Sequence, residues 1–97
     1  MSTLHLSLKG EYFRAIEANS KTLEFRLVTP YWTKRLVGRH YDSIELTLGY
    51  PARDDESKRL RLPYRGYVRT TITHPHFGPG PVEVFAIDVD RYPPVGA

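Results

Sequence analysis

The feature that most restricts this fold is an alternation of period two that returns at intervals along the chain. Residues 4–8 place Leu4, Leu6 and Leu8 on one side and His5 and Ser7 on the other. Residues 21–29 set Leu23, Phe25 and Leu27 against Thr22, Glu24 and Arg26, and residues 43–48 set Ile44, Leu46 and Leu48 against Ser43, Glu45 and Thr47. Successive side chains of a strand point to opposite faces, whereas a helix would scatter these residues around its circumference. Three half-apolar strands are therefore expected. Residues 64–73, rich in β-branched and aromatic side chains, predict a fourth, long strand. Residues 82–89, apolar except at Glu83 and Asp88, predict a fifth that is buried on both faces.

Between the strands the period changes. In residues 10–18, Tyr12, Phe13 and Ile16 share one face while Glu11, Arg14 and Glu17 share the other, which predicts a short amphipathic helix. Asn tolerates the left-handed conformation that commonly closes a helix, so Asn19 is the expected stop. Pro30 suits a first helical position and Gly38 an exit, which predicts a second short helix or helical turn. Residues 49–63 are polar, bracketed by Pro51 and Pro63, and read as a long loop or a frayed hairpin end. The prolines and glycines of 74–81 mark a turn region.

A length of 97 residues suits one domain, taken as residues 1–90, with 91–97 as a disordered tail containing Pro93, Pro94 and Gly96. No strand–helix–strand rhythm is sustained. The expected fold is therefore α+β, mainly β: a small mixed β-barrel of about five strands with one or two short helices.

Cysteine is absent, which excludes disulfides, iron–sulfur clusters and thiolate zinc sites within the chain and fits a reducing, cytoplasmic compartment. No window approaches the ~20 apolar residues of a membrane span, so no membrane association is expected. His74 and His76 flank a proline without a third ligand of suitable spacing. Asp54, Asp55 and Glu56 are adjacent acids in a loop, which read as solvated charge. No metal or other cofactor is expected. His5 and His40 read as surface histidines.

The formal charge of +3 says less than its distribution. Residues 58–69 hold Lys58, Arg59, Arg61, Arg65 and Arg69 with no acid, interleaved with Pro63, Tyr64 and Tyr67. Cations beside exposed rings suit single-stranded nucleic acid, because charges meet phosphates while rings stack on bases. A strand edge that carries cations to deter aggregation has the same composition, and the two readings stand side by side.

Lys21, Glu24 and Arg26 form the second constellation. Glu24 and Arg26 project from one strand face, and Lys21 stands at the strand entrance. A carboxylate between two cations orients a bound base or ribose, while the cations face phosphate. The segment resembles the signature of ASCH domains, in which a helix ends at glycine, a variable residue and a lysine follow, glutamate comes three positions on and arginine two beyond. Asn19 stands at the glycine position. The resemblance extends to the opening strand and helix, through Leu6, Leu8, Tyr12, Phe13 and Ile16, and to the closing strand at Val84, Phe85, Ala86 and Ile87.

That resemblance implies a PUA-like β-barrel with a cleft lined by Lys21, Glu24 and Arg26, and an association with RNA binding or processing. Some relatives resemble amidohydrolases acting on acetylated cytidine through a lysine, a threonine and a glutamate, and others resemble ribonucleases. Lys21 matches the lysine, but Glu24 stands where the threonine nucleophile would be. Thr22, the nearest hydroxyl, is two positions from Glu24 on the same strand, so Lys21, Glu24 and Thr22 are the catalytic candidates. A lysine beside Arg26 loses its proton more readily, as a general base must.

Tyr31 and Trp32 follow closely and serve either as a stacking wall or as a plug for the barrel end, and Tyr50 is similarly open. The leading expectation is a module that binds RNA or a modified nucleotide. It uses Lys21, Glu24, Arg26, Tyr31 and Trp32 at the cleft, with Arg59, Arg61, Tyr64, Arg65, Tyr67 and Arg69 on the ribbon. The alternatives are a hydrolase acting on N4-acetylcytidine-type nucleosides or a ribonuclease, and a protein-interaction module whose ribbon meets an acidic partner.

Overall fold

The computed structural model describes residues 2–91. Strand β1 (Thr3–Leu8) leads into helix α1 (Gly10–Glu17), strand β2 (Leu23–Leu27), helix α2 (Pro30–Leu36) and strand β3 (Ser43–Leu48). Strands β4 (Arg59–Pro63), β5 (Tyr67–Ile72) and β6 (Val82–Asp88) follow. The fold is α+β and mostly strand. The strands form two three-stranded sheets, ordered β1-β3-β4 and β2-β6-β5, and the described ladders do not close into a barrel.

In the first sheet, β1 and β3 run parallel with Leu4 opposite Ile44 and Leu6 opposite Leu46. β4 runs antiparallel to β3 with Leu62 opposite Ile44 and Leu60 opposite Leu46. Cross-strand partners share a face, so one leucine-rich surface results. Phe13 and Ile16 of α1, Leu36 of α2 and Phe85 and Ile87 of β6 complete the core with no exposed surface or nearly none. Burying each such side chain stabilises the fold by about 1.5–3 kcal/mol, and together these outweigh any single polar contact.

Two expectations are corrected. The described residues form six strands, because the predicted loop 49–63 contains β4, whose Arg59-Leu60-Arg61-Leu62 alternation seats both leucines on the core face. The long strand expected over 64–73 is shorter. Gly66, at φ 90°, lets the chain leave the first sheet and enter the second, so β5 begins only at Tyr67. As expected, β6 is buried on both faces from Val84 to Ile87. Thr29 caps α2 by accepting a hydrogen bond from the Trp32 N–H, with Pro30 in the first turn. Of the tail expected at 91–97, Arg91 is held by hydrogen bonds and residues 92–97 lie outside the described residues. Among the described residues, no helix is long and apolar enough to cross a membrane.

Candidate functional site

The site begins at the end of α1. Asn19 adopts φ 57°, its N–H donates to Ile16 and the Ser20 N–H donates to Ala15, the paired bonds of a left-handed helix terminus. The Lys21 N–H also reaches the Ala15 carbonyl, so the turn delivers Lys21 to the mouth of β2 in a fixed direction.

β2 then does something its alternation does not disclose. It pairs with β6 so that Glu24 stands opposite Ile87 and Arg26 opposite Phe85, both core residues. The charged face therefore turns inward. Leu23 and Leu27 face outward at 38% and 37% exposure, whereas Glu24 is 3% exposed and is the one buried charged residue among those described.

An unpaired carboxylate at that depth would cost several kcal/mol, so its partners are essential to the fold. Arg26 Nη1 donates to Glu24 Oε2 at 2.6 Å, and Lys21 Nζ lies 3.5 Å from Oε1. Lys21 also donates to the Leu23 carbonyl. Arg26 Nη2 donates to the Ser7 carbonyl on β1 at 3.2 Å. β1 and β2 are edge strands of different sheets, so a side chain links them where no backbone ladder does.

The space beside this link is an open cleft with two lobes. The smaller, about 320 Å³, has Lys21, Glu24 and Arg26 at its floor and Tyr12, Phe25, Trp32 and Phe77 among its walls. Lys21 Nζ sits 4.7 Å from the Phe25 ring centre and 5.5 Å from that of Tyr12, and Arg26 Cζ sits 5.2 Å from that of Trp32. The larger lobe, about 690 Å³, shares Tyr12, Glu24, Arg26, Tyr31, Trp32 and His76 and runs on to Lys9, Arg59 and Tyr50.

Counting donors defines what the floor offers. Each Glu24 oxygen keeps an acceptor position beyond its cation, while Lys21 keeps one N–H and Arg26, whose Nη1 serves Glu24 and the Phe25 carbonyl, keeps its Nε–H and one Nη2–H. Acceptors and donors thus stand side by side among aromatic walls, with one net positive charge from two cations and one carboxylate.

The sequence-predicted residues are distributed unevenly over this site. Lys21, Glu24, Arg26, Tyr31 and Trp32 all line the smaller lobe. Thr22 is exposed and lines neither lobe, so the candidate catalytic hydroxyl lies outside the space that Lys21 and Glu24 line. The aliphatic hydroxyl that lines the smaller lobe is that of Thr29, whose Oγ1 already accepts the α2 capping bond. Sequence reasoning also missed Tyr12, Phe77 and Lys9. Tyr12 read simply as part of an apolar helix face, and no local pattern separates a ring that lines a cleft from one that fills a core.

The 58–69 ribbon does not form one cationic surface. Arg59 and Arg61 flank Glu45 at 3.1 and 2.8 Å, Arg61 also binds Glu56 at 2.7 Å, and Lys58 faces Asp55 at 3.5 Å. Arg65, just before Gly66, binds Asp88 at 3.1 Å, and Arg69, beyond it, binds Glu83 at 2.6 Å. Tyr64 and Tyr67 pack edge-on against Tyr41 and Phe85 and contact the core. Only Arg59 of the ribbon reaches the cleft.

The charges behave accordingly. Burial pulls the Asp88 carboxyl up, but hydrogen bonds from Arg65 and the Asp90 backbone, with the Arg65 charge, together hold it below its ordinary 3.8. The Arg61 hydrogen bond lowers Glu56, and burial raises the Tyr64 phenol. His74 Nδ1 accepts the His76 N–H at 3.1 Å, so this turn closes on itself. Among the described residues, no three His, Asp or Glu side chains gather as metal ligands would.

No family model, no curated protein and no solved structure matches the chain.

Proposed function

We propose that the smaller lobe binds a nucleobase, presented by a modified nucleoside or by single-stranded RNA, in a small ASCH-like domain with an open, PUA-like barrel. One observation carries this reading: a carboxylate buried to 3% exposure is held between Lys21 and Arg26 at the floor of an aromatic-walled cleft. Flat heterocycles with alternating N–H and C=O edges meet both requirements, stacking on the walls and matching the donors and acceptors below. A volume of about 320 Å³ lies at the small-ligand end of binding pockets, which suits one base with its sugar. The left-handed Asn19 in the family's glycine position supports the ASCH-like assignment. The reading is one of binding, since Thr22, the candidate hydroxyl, lines neither lobe.

Trp32 is the sole tryptophan and lines the lobe, so its fluorescence reports occupancy directly. Titration with ribonucleosides, N4-acetylcytidine and short single-stranded RNAs at low salt is expected to give a saturable change for at least one of them. Lys21→Ala is expected to weaken that binding at least tenfold. A flat response across the panel, or an unchanged affinity in Lys21→Ala, would refute the assignment.

A further inference from the structure

The base-binding lobe leaves the larger half of the cleft unexplained. The two lobes are continuous through Glu24, Arg26 and Trp32, and the outer one has about twice the volume of the inner. Lys9 and Tyr50 line the outer lobe and not the inner one, so a nucleoside confined to the inner lobe leaves them unused.

The chemistry of the outer lobe differs from that of the inner. Its two carboxylates are already neutralised, Glu24 by Lys21 and Arg26, and Glu45 by Arg59 and Arg61. Lys9 has no carboxylate partner among the described residues; its Nζ approaches only His76 Nδ1, at 3.5 Å. Arg59 keeps a buried Nε–H without a partner. At the rim, Tyr50 presents a ring that is 96% exposed, an arrangement with no packing purpose in the isolated fold. An uncompensated cation beside neutralised acids favours an anion, and an exposed ring beyond it favours a stacked base.

Resting on the base-pocket reading above, we infer that the outer lobe is a second subsite for the adjoining phosphate and the neighbouring base. The ligand is then a residue within a single-stranded oligonucleotide rather than a free nucleoside. Lys9 meets the phosphate, and Tyr50 stacks the next base. This track approaches the pocket from α1 and the 49–52 segment, not from the 58–69 ribbon.

The test compares each of the four ribonucleosides with the matching 5′-phosphorylated dinucleotide by Trp32 fluorescence across a salt series. The best dinucleotide is expected to bind at least tenfold more tightly than its nucleoside at low salt. That gain should fall with a logarithmic salt slope of about −0.7 for each phosphate contacted. In the Lys9→Ala/Tyr50→Ala double variant the gain should shrink to threefold or less while nucleoside affinity stays within twofold, since neither residue lines the inner lobe. Equal binding of nucleoside and dinucleotide overturns the inference and leaves the base pocket standing. So does a gain that persists in the double variant, or an oligoglutamate peptide that binds as tightly as the dinucleotide. Failure of every nucleoside and dinucleotide to bind overturns both readings.

Discussion

Two groups of cations in this chain look alike in sequence and differ in the molecule. The ribbon at 58–69 is denser, with five cations and no acid of its own, yet each side chain finds a carboxylate elsewhere and most pairs lie at the surface. The cleft group has two cations and one acid, and burial makes every contact in it matter. The difference teaches that recognition depends less on how many charges a segment carries than on which remain uncompensated next to a cavity.

That contrast yields a graded set of expectations. The largest effect is expected for Arg26→Ala, which strips Glu24 of its shortest partner and cuts the link to Ser7. A loss of about 3 kcal/mol in chemical denaturation is expected. Replacing the pair together, Glu24→Leu with Arg26→Met, should recover most of that stability while ligand binding stays lost. If the double variant is no more stable than Arg26→Ala, the buried pair is not the source of the penalty.

A smaller effect is expected at the Arg65–Asp88 contact on the ribbon. The Asp88 carboxyl is held below 3.8 in the folded protein, so its ionised form stabilises the fold above that pH and the contribution fades as acid titrates it. Asp88→Asn should therefore lower stability by no more than about 1 kcal/mol at pH 7. The difference from the parent should narrow below pH 4. A gap that widens on acidification would reverse the assignment. The smallest effect belongs to Arg69→Ala, whose pair with Glu83 is half exposed on both sides; a change of about 0.5 kcal/mol or less is expected. A larger loss would mean that the ribbon holds the second sheet together.

Much of the fold is legible in the residues. Leu4, Leu6 and Leu8 are buried as their alternation implies, Asn19 stops its helix in the left-handed conformation, and Pro30 opens the next. β2 shows where legibility ends. A period of two divides side chains into two faces, but which face turns inward is set by the partner strand, and pairing with Phe85 and Ile87 inverted the usual choice. Lys21, Glu24 and Arg26 could be grouped from spacing, whereas Tyr12, Thr29 and Phe77 join them only through tertiary packing. The ribbon misled for the converse reason. Three of its compensating acids, Glu45, Glu83 and Asp88, stand on other strands, Asp55 and Glu56 lie just outside it, and the break at Gly66 sends its halves to different sheets.

The helix stop has one more consequence. Asn19 Oδ1 accepts the Arg91 N–H at 3.1 Å, and Arg91 Nη1 donates to the Glu17 carbonyl at 2.6 Å. Glycine would satisfy the same backbone turn but supply no side-chain oxygen. Asparagine at this position therefore acts as a clasp, fastening the segment that leaves β6 to the turn that aims Lys21. The end of the last strand and the floor of the cleft are thereby tied together through one asparagine side chain.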